Sequence, residues 1–224
     1  ASQLIVVSAE RISQELSRML TNEHRARGMR LIEEVGLLGV IFPELERQPR
    51  DAWERTMHML QHLQNPTLEL AMAVLWHSIP QDDNATEVAH ELGKRFRMSN
   101  HEVEQIAWLM SHHRALNEAP EMPLCRLKRL LAHPQIEDLL KLMRVERLTT
   151  DADLKPVLFC EDYLRKTPMD EINPPPLISG ADLIAQGLKP GPQFKELLDT
   201  VRDAQLNGEI QTHEEALAMI QKRL

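Results

Sequence analysis

The stretch Pro174–Leu224, PPPLISGADLIAQGLKPGPQFKELLDTVRDAQLNGEIQTHEEALAMIQKRL, indicates the fold class because its helix boundaries are more clearly marked than any others in the chain. The three prolines end whatever precedes them, since proline has no N–H and restrains the residue before it. Ser179 can then cap a helix whose first turn contains Asp182. Gly187 supplies the positive φ that often ends a helix. We therefore predict a short helix over this part.

Two more helices are predicted in the same stretch. Pro190-Gly191-Pro192 forms a corner, and the next helix carries apolar residues at positions i, i+3, i+4 and i+7, namely Phe194, Leu197, Leu198 and Val201. Asn207-Gly208 ends that helix. Thr212 with Glu215 has the spacing of a capping box that opens a last helix, whose apolar positions include Leu217 and Leu224. Three helices in about fifty residues bury too little apolar surface for a separate fold, so we predict a tail docked on the preceding body.

Composition favours an all-α protein. Among 224 residues there are only 8 glycines and 4% aromatic residues, and helix formers dominate. The formal charge of −8 argues against a protein that coats nucleic acid over its whole surface, although it allows a local basic face. Cys125 and Cys160 have neither zinc-site nor disulfide-framework spacing and are interpreted as reduced thiols of a cytoplasmic protein. No apolar run is long enough for a membrane span.

The first 165 residues carry further helix signals. Ser8 and Asn22 are predicted caps, Ser99 with Glu102 is a capping box, and LELAMAVLW is apolar almost all round, which predicts a central helix. We predict a helical body over 1–165, a proline- and acid-rich linker over 166–178, and a helical tail over 179–224. Arginines crowd the first helices and are interpreted as a solvated face in preference to an RNA contact: Arg11, Arg18, Arg25, Arg27 and Arg30.

The tail residues resemble a known family. ISGADLIAQGLKPGP followed by LLDTVRDAQLNGEIQTHEEAL resembles the closing tail of bacterial class II nucleotidyltransferases, which include CCA-adding tRNA nucleotidyltransferases and bacterial poly(A) polymerases. The opening Ala-Glu-Arg-Ile, Glu-x-Gly-Leu-Leu and Ile-Phe-Pro-Glu-Leu stretches, and RLKRLLAHPQIEDLLKLMRVER, are similar to the body of the same family. The resemblance covers nearly the whole chain and is weakest over 51–95. The missing initiator methionine favours a fragment or a processed chain.

The resemblance implies that catalysis takes place elsewhere. In the family, the reacting groups lie in an N-terminal head with a Gly-Gly-x-x-Arg-Asp stretch, an Asp-x-Asp pair and a Glu-Asp-x-x-Arg neck motif. Only Glu161–Arg165 resembles the last of these, far downstream, and we interpret it as a surface helix turn. We therefore predict no catalytic residue in this chain and no cofactor bound to it. Mg²⁺ and a nucleoside triphosphate are expected at a head domain absent from this chain.

Residues 51–113 resemble the HD-type phosphohydrolase segment of some family members, in a degenerate form. In that segment a histidine, a His-Asp pair and further histidines hold a divalent ion. Here Arg55-Thr56-Met57 stands where the first histidine belongs, and His77-Ser78 stands where the His-Asp pair belongs. Because the carboxylate ligand is missing, we predict no metal site.

What remains is RNA binding and positioning. Phosphate groups are held by Lys and Arg side chains and by backbone N–H groups at helix N-termini. In the family, body and tail grip tRNA by its shape. The candidate contacts are Lys94, Arg95, Arg97, His112, His113, Arg114, Arg126, Lys128, Arg129, Lys189 and Gly191. The 126–129 basics alternate with an apolar stripe, which suggests that they share one exposed side, and Gly191 would allow close approach of a backbone.

Three functions stay open. The leading hypothesis is the RNA-positioning portion of a tRNA nucleotidyltransferase or poly(A) polymerase, with RNA, chiefly tRNA, and the catalytic head as partners. The alternatives are a degenerate HD-type metal-dependent phosphohydrolase domain and a helical protein–protein adaptor, the latter suggested by the acidic balance. The sequence does not separate CCA addition from poly(A) addition.

Overall fold

The computed structural model of the protein describes residues 8–77, 79 and 85–222. Over these residues it is all α-helical and has no strand, which confirms the predicted class. The α-helices are α1 (Ala9–Thr21), α2 (Arg25–Glu34), α3 (Leu38–Ile41), α4 (Pro43–Glu46), α5 (Arg50–His62), α6 (Leu68–Trp76), α7 (Ala85–Arg95), α8 (Asn100–His112), α9 (Leu124–Leu131), α10 (Ile136–Thr149), α11 (Lys155–Lys166), α12 (Met169–Ile172), α13 (Gly180–Ala185), α14 (Pro192–Asn207) and α15 (His213–Gln221). Ser78 and Leu224, which are named in the sequence-based predictions above, lie outside the described residues.

The described residues group by proximity into two compact units. Unit 1 comprises Ala1–Asn117 with Glu137–Val157, and unit 2 comprises Glu118–Ile136 with Leu158–Leu224. Spatial grouping therefore places α9 with the C-terminal helices, although it precedes α10 in the chain. The predicted boundaries of body, linker and tail at 165 and 179 stay a prediction.

The core of unit 1 is built around α6. Every residue from Leu70 to Trp76 is buried, as the all-round apolar pattern predicted. The Thr67 hydroxyl accepts a hydrogen bond from the Leu70 N–H at 3.1 Å and so caps the start of this helix. An aromatic cluster continues this core, since Phe96 lies 5.1 Å from Phe42 and 6.2 Å from Trp76 between ring centroids.

Most of the predicted helix caps are present. Ser8 accepts from the Arg11 N–H, and the capping boxes at Ser99, Ser179 and Thr212 are all formed. The prediction that Asn22 caps α2 is wrong. Asn22 accepts a hydrogen bond from the N–H of His24, and His24 is the residue that precedes the helix. A short asparagine side chain can bond two residues ahead in this way and form a turn in place of a cap.

The predicted solvated arginine face in α1 and α2 is wrong for one member. Arg25 is only 3% exposed, and its guanidinium donates hydrogen bonds to the backbone carbonyls of Leu20, Leu60 and Leu63. Others form ion pairs near the surface: Arg18 with Glu15, Arg27 with Glu34, and Arg30 with Glu54. Much of the positive charge in this run is therefore already engaged within the protein.

Unit 2 has a small core of its own. Ile178, Leu183, Val201, Ala216 and Ile220 are buried together, and they come from α13, α14, α15 and the segment before them. The tail helices also pack on an earlier element of the unit, because α14 contacts α9. The predicted linker is held against α14 by hydrogen bonds. It contains α12, whose Ile172 is buried, and Arg202 donates to the Pro174 carbonyl and to the Asn173 side chain.

Candidate nucleic-acid interface

The first basic group lies at the C-terminal end of α7 in unit 1. Arg95 is bound by Glu44 through two hydrogen bonds of 2.6 and 2.9 Å, and its guanidinium lies 5.1 Å from the Phe96 ring centroid. Burial alone would raise the pKa of the Glu44 carboxyl, but the hydrogen bonds and charge of Arg95 hold it below its ordinary value. Arg95 is thus largely occupied by a contact inside the protein. Its neighbour Lys94 is exposed and has no carboxylate partner within the described residues.

Arg97 follows α7 in an unusual conformation. Its φ of +55° places it in the left-handed region, where it closes the helix, and its Nε lies 3.8 Å from a Glu10 carboxylate oxygen. The side chain stays 68% exposed, so this ion pair contributes little energy and leaves the guanidinium able to meet a phosphate.

The second basic group lies at the C-terminal end of α8. His112 and His113 each direct Nδ1 at a carbonyl of the last turn, at 2.8 Å from Trp108 O and 2.7 Å from Met110 O. The His112 ring also stacks on Trp108 with centroids 4.6 Å apart. These contacts satisfy helix-terminal carbonyls, so both imidazoles have a structural role. Arg114, by contrast, is exposed.

A cavity of about 460 Å³ lies beside this end of α8, wholly within unit 1. Its ionisable lining residues come from four elements, with Arg55 of α5, His77 after α6, His113 and Arg114 after α8, and Glu146 of α10. Burial lowers the pKa of His77, and the positive charges of His113 and Arg55 act in the same direction. The Val74 carbonyl, 2.6 Å from Nδ1, and the Glu146 carboxylate oppose that shift.

This cavity includes positions that the HD-like interpretation singled out. Among the described residues, no group of three or more His, Cys, Asp or Glu side chains converges as a metal site would require. Arg55 and His77 were considered in the sequence only as failed metal ligands. Sequence reasoning missed that these two residues line one cavity with Arg114, because no spacing along the chain links residues on three different helices.

The third basic group is on α9 in unit 2. Arg129 donates to Asp203 at 2.9 Å and its guanidinium also approaches Asp199, so two α14 carboxylates compensate its charge. Arg126 and Lys128 are two residues apart and so lie about 160° apart around the helix. Arg129 lies between them, so the three basic residues occupy the half of the helix opposite the buried Leu127 and Leu131, and their contact with RNA stays a prediction. Arg126 is exposed and Lys128 is half-buried, and neither has an ion-pair partner in the part of the chain that is described.

The fourth candidate is the corner before α14. Lys189 and Gly191 are exposed, and Gly191 precedes the first turn of α14 with extended backbone at φ −179°. A Cβ built on Gly191 would meet only the Lys189 carbonyl, at 3.8 Å. The corner is therefore accessible, although its backbone does not require glycine. The glycine that the conformation does require is Gly187, at φ +84°.

Comparison with known proteins decides the family. A family model described as "Probable RNA and SrmB- binding site of polymerase A" matches residues 1–48. The CC-adding tRNA nucleotidyltransferase of Thermus thermophilus is 30% identical over 257 aligned positions, covering 94% of this chain and 56% of that protein. The A-adding tRNA nucleotidyltransferase of Deinococcus radiodurans is 26% identical, covering 99% of this chain and 60% of that protein.

The chain belongs to the class II tRNA nucleotidyltransferase family. It spans somewhat more than half the length of the two curated nucleotidyltransferases described above. The RNA-binding model covers α1 to α4, in which most arginines are ion-paired or buried, so the match lies on a different part of unit 1 from the basic groups of α7 and α8. Within the described ranges, no helix is both long and apolar enough to cross a bilayer.

Proposed function

We propose that this chain is the RNA-positioning portion of a nucleotidyltransferase that adds nucleotides to RNA 3′ ends, with tRNA as its main substrate. The observation that carries this proposal is the near-complete alignment of the chain with a CC-adding and an A-adding tRNA nucleotidyltransferase, together with an RNA-binding model at its N-terminal end. Nucleotide addition would be performed by a catalytic head domain outside these residues. Mg²⁺ and a nucleoside triphosphate would be bound there, in the cytoplasm.

The distribution of free positive charge supports this role. The cations without a carboxylate partner among the described residues include Lys94 and Arg114 in unit 1 and Arg126, Lys128 and Lys189 in unit 2. Such separated contacts suit a folded RNA held by its phosphates, whereas a single-stranded RNA is usually held on stacked aromatic side chains. Aromatic residues are only 4% of the chain, and Trp53 and Trp76 are buried. A shape-dependent grip on duplex RNA is therefore favoured over base stacking.

The test is a binding comparison between tRNA and single-stranded poly(A) at low salt, measured by fluorescence anisotropy. We expect tRNA to bind more tightly than poly(A) of equal length, because only the folded RNA presents phosphates at several fixed positions. Preference for poly(A) would instead support the poly(A) polymerase variant of the proposal. If neither RNA bound, the RNA-positioning role would be wrong, and the result would support the alternative of a helical protein–protein adaptor.

A further inference from the structure

The 460 Å³ cavity of unit 1 brings together several charged groups, of which the RNA-positioning proposal uses only Arg114. Among the described residues that line it, two carry guanidinium groups, Arg55 and Arg114, and one carries a carboxylate, Glu146. Arg55 is also bound to Asp51 one turn earlier at 2.7 Å, but Asp51 is 70% exposed and is not among the lining residues. The described lining therefore carries two guanidinium groups against one carboxylate before any histidine is protonated, and of these two Arg114 is the one without a carboxylate partner among the described residues.

The two arginines enter the cavity from different elements. Arg55 belongs to α5 and Arg114 follows α8, while His77 and His113 lie at the C-terminal ends of α6 and α8. Each imidazole directs Nδ1 at a backbone carbonyl within 2.7 Å, which fixes the orientation of the ring. Groups held on separate helices by local hydrogen bonds form a preorganised site, and preorganisation lowers the entropy lost on binding.

The chemistry of this lining selects an anion over a metal ion. A divalent cation would need converging carboxylates or imidazoles and would be repelled by the two guanidinium groups. Guanidinium groups bind phosphate oxygens with strong, directional hydrogen bonds. The volume, about 460 Å³, is within the usual range for small-molecule sites and exceeds the need of a bare phosphate. Ala52, Met59 and Ile79 supply an apolar part of the wall.

We propose that this cavity binds the phosphomonoester of a small phosphorylated molecule of nucleotide size, without a metal ion. Arg55 and Arg114 would hold the phosphate, and the apolar wall would meet the rest of the molecule. The same chemical group occurs on free mononucleotides and at the 5′ end of RNA, so both are considered as sources. The inference does not depend on the proposed RNA-positioning function.

The test is isothermal titration of the full chain with AMP and with adenosine in buffer containing EDTA. We expect AMP to bind at least tenfold more tightly than adenosine, because only AMP carries the phosphate. Arg114→Gln should weaken AMP binding by roughly five- to tenfold. Arg47→Gln is the matched control, since Arg47 is an exposed arginine of unit 1 outside the cavity, and should leave the affinity unchanged.

A second variant tests the sign of the charge effect. Glu146→Gln removes the carboxylate of the described lining and should tighten AMP binding severalfold, which a merely unfolded variant would not do. Three results would overturn the site: equal affinity for AMP and adenosine, equal weakening by Arg114→Gln and Arg47→Gln, or binding that requires added Mn²⁺. Loss of tRNA binding with AMP binding intact would contradict only the RNA role.

The source of the phosphate is found with a short RNA duplex carrying either a 5′-phosphate or a 5′-hydroxyl. If the wild-type chain prefers the phosphorylated end and Arg114→Gln loses that preference, the site serves an RNA terminus. If AMP binds but the two ends bind equally, the site serves a free metabolite. Both outcomes support a phosphomonoester site, because each includes a loss of affinity confined to Arg114→Gln.

Discussion

At the residue scale, Arg25 joins the C-terminal ends of two helices. Its Nε donates to the Leu20 carbonyl of α1 at 2.9 Å, and its Nη1 donates to Leu60 and Leu63 at the end of α5. Terminal carbonyls of helices have no intrahelical donor, so a buried arginine satisfies acceptors that water cannot reach. The positive charge is thus used for backbone hydrogen bonding and is withdrawn from any RNA surface.

Arg25→Ala should lower the free energy of unfolding of unit 1 by about 2–4 kcal/mol, because three buried carbonyls lose their donor. Arg27→Ala is the control. The Arg27 side chain is 61% exposed and forms a surface ion pair with Glu34, so its loss should change stability by less than about 0.5 kcal/mol. Urea unfolding followed by tryptophan fluorescence measures this directly, since all three tryptophans, Trp53, Trp76 and Trp108, belong to unit 1. Equal effects of the two variants would contradict the proposed role.

The carboxyl group of Asp182 should make the stability of the tail depend on pH. Hydrogen bonds from the backbone and hydroxyl of Ser179, and then from His213, lower the pKa of this carboxyl to about 2. A depressed pKa means that the cap stabilises the tail fully above about pH 4 and loses this contribution as the pH falls towards 2. Carbon NMR of the Asp182 carboxyl should show a midpoint near pH 2, and Ser179→Ala should move it upward. A midpoint near 4 in the unmodified chain would show that the capping box does not form.

At the scale of elements, α7 and α8 pack closely because Gly93 has no side chain. A Cβ built on Gly93 would lie 2.2 Å from Val103 Cγ2. In a solvent-exposed helix, Gly→Ala normally raises the free energy of unfolding by about 1 kcal/mol. Here the steric clash of the added methyl group with Val103 should outweigh that gain. Gly93→Ala should destabilise unit 1 by about 1–3 kcal/mol, and adding Val103→Ala should restore most of it. Failure of the second substitution to rescue the first would exclude this contact as the cause.

The basic residues of α9 should differ in their effect on RNA. Arg126 and Lys128 are unpaired among the described residues, whereas two α14 carboxylates already neutralise Arg129. Arg126→Ala with Lys128→Ala should weaken tRNA binding and reduce the slope of log K against log[salt] by about 0.7–0.9 for each lost phosphate contact. Arg129→Ala should change the slope less. Equal slopes for all variants would exclude α9 from the interface.

At the scale of the whole molecule, the net charge of −8 limits how RNA can be held. A chain with excess acid repels phosphate except where unpaired cations collect, so the number of contacts must be small. We expect tRNA binding to depend on salt with a slope between roughly −2 and −5, as for about three to five phosphate contacts. Anisotropy titrations between 50 and 200 mM salt measure it, and a slope near zero would contradict electrostatic positioning.

The sequence by itself determined the helical class, the central place of α6, the capping boxes at Ser99 and Thr212 and the helix start at Ser179. These depend on local chemistry: apolar periodicity, a hydroxyl before a helix, and a glutamate or aspartate three residues later. The family could likewise be inferred from the order of motifs along the chain. Each of these features involves residues close together in the sequence.

Only the tertiary structure decided which cations are available. Arg25, Arg95 and Arg129 look alike in the sequence, yet the first is buried on carbonyls and the others are held by acidic side chains 51 and 74 residues away. One cavity also brings together residues that are far apart in the sequence, namely Arg55, His77, Arg114 and Glu146. An arginine's partner depends on which helix packs beside it, and that packing is fixed by the burial of apolar faces across the whole unit, which spacing along a single helix does not reveal.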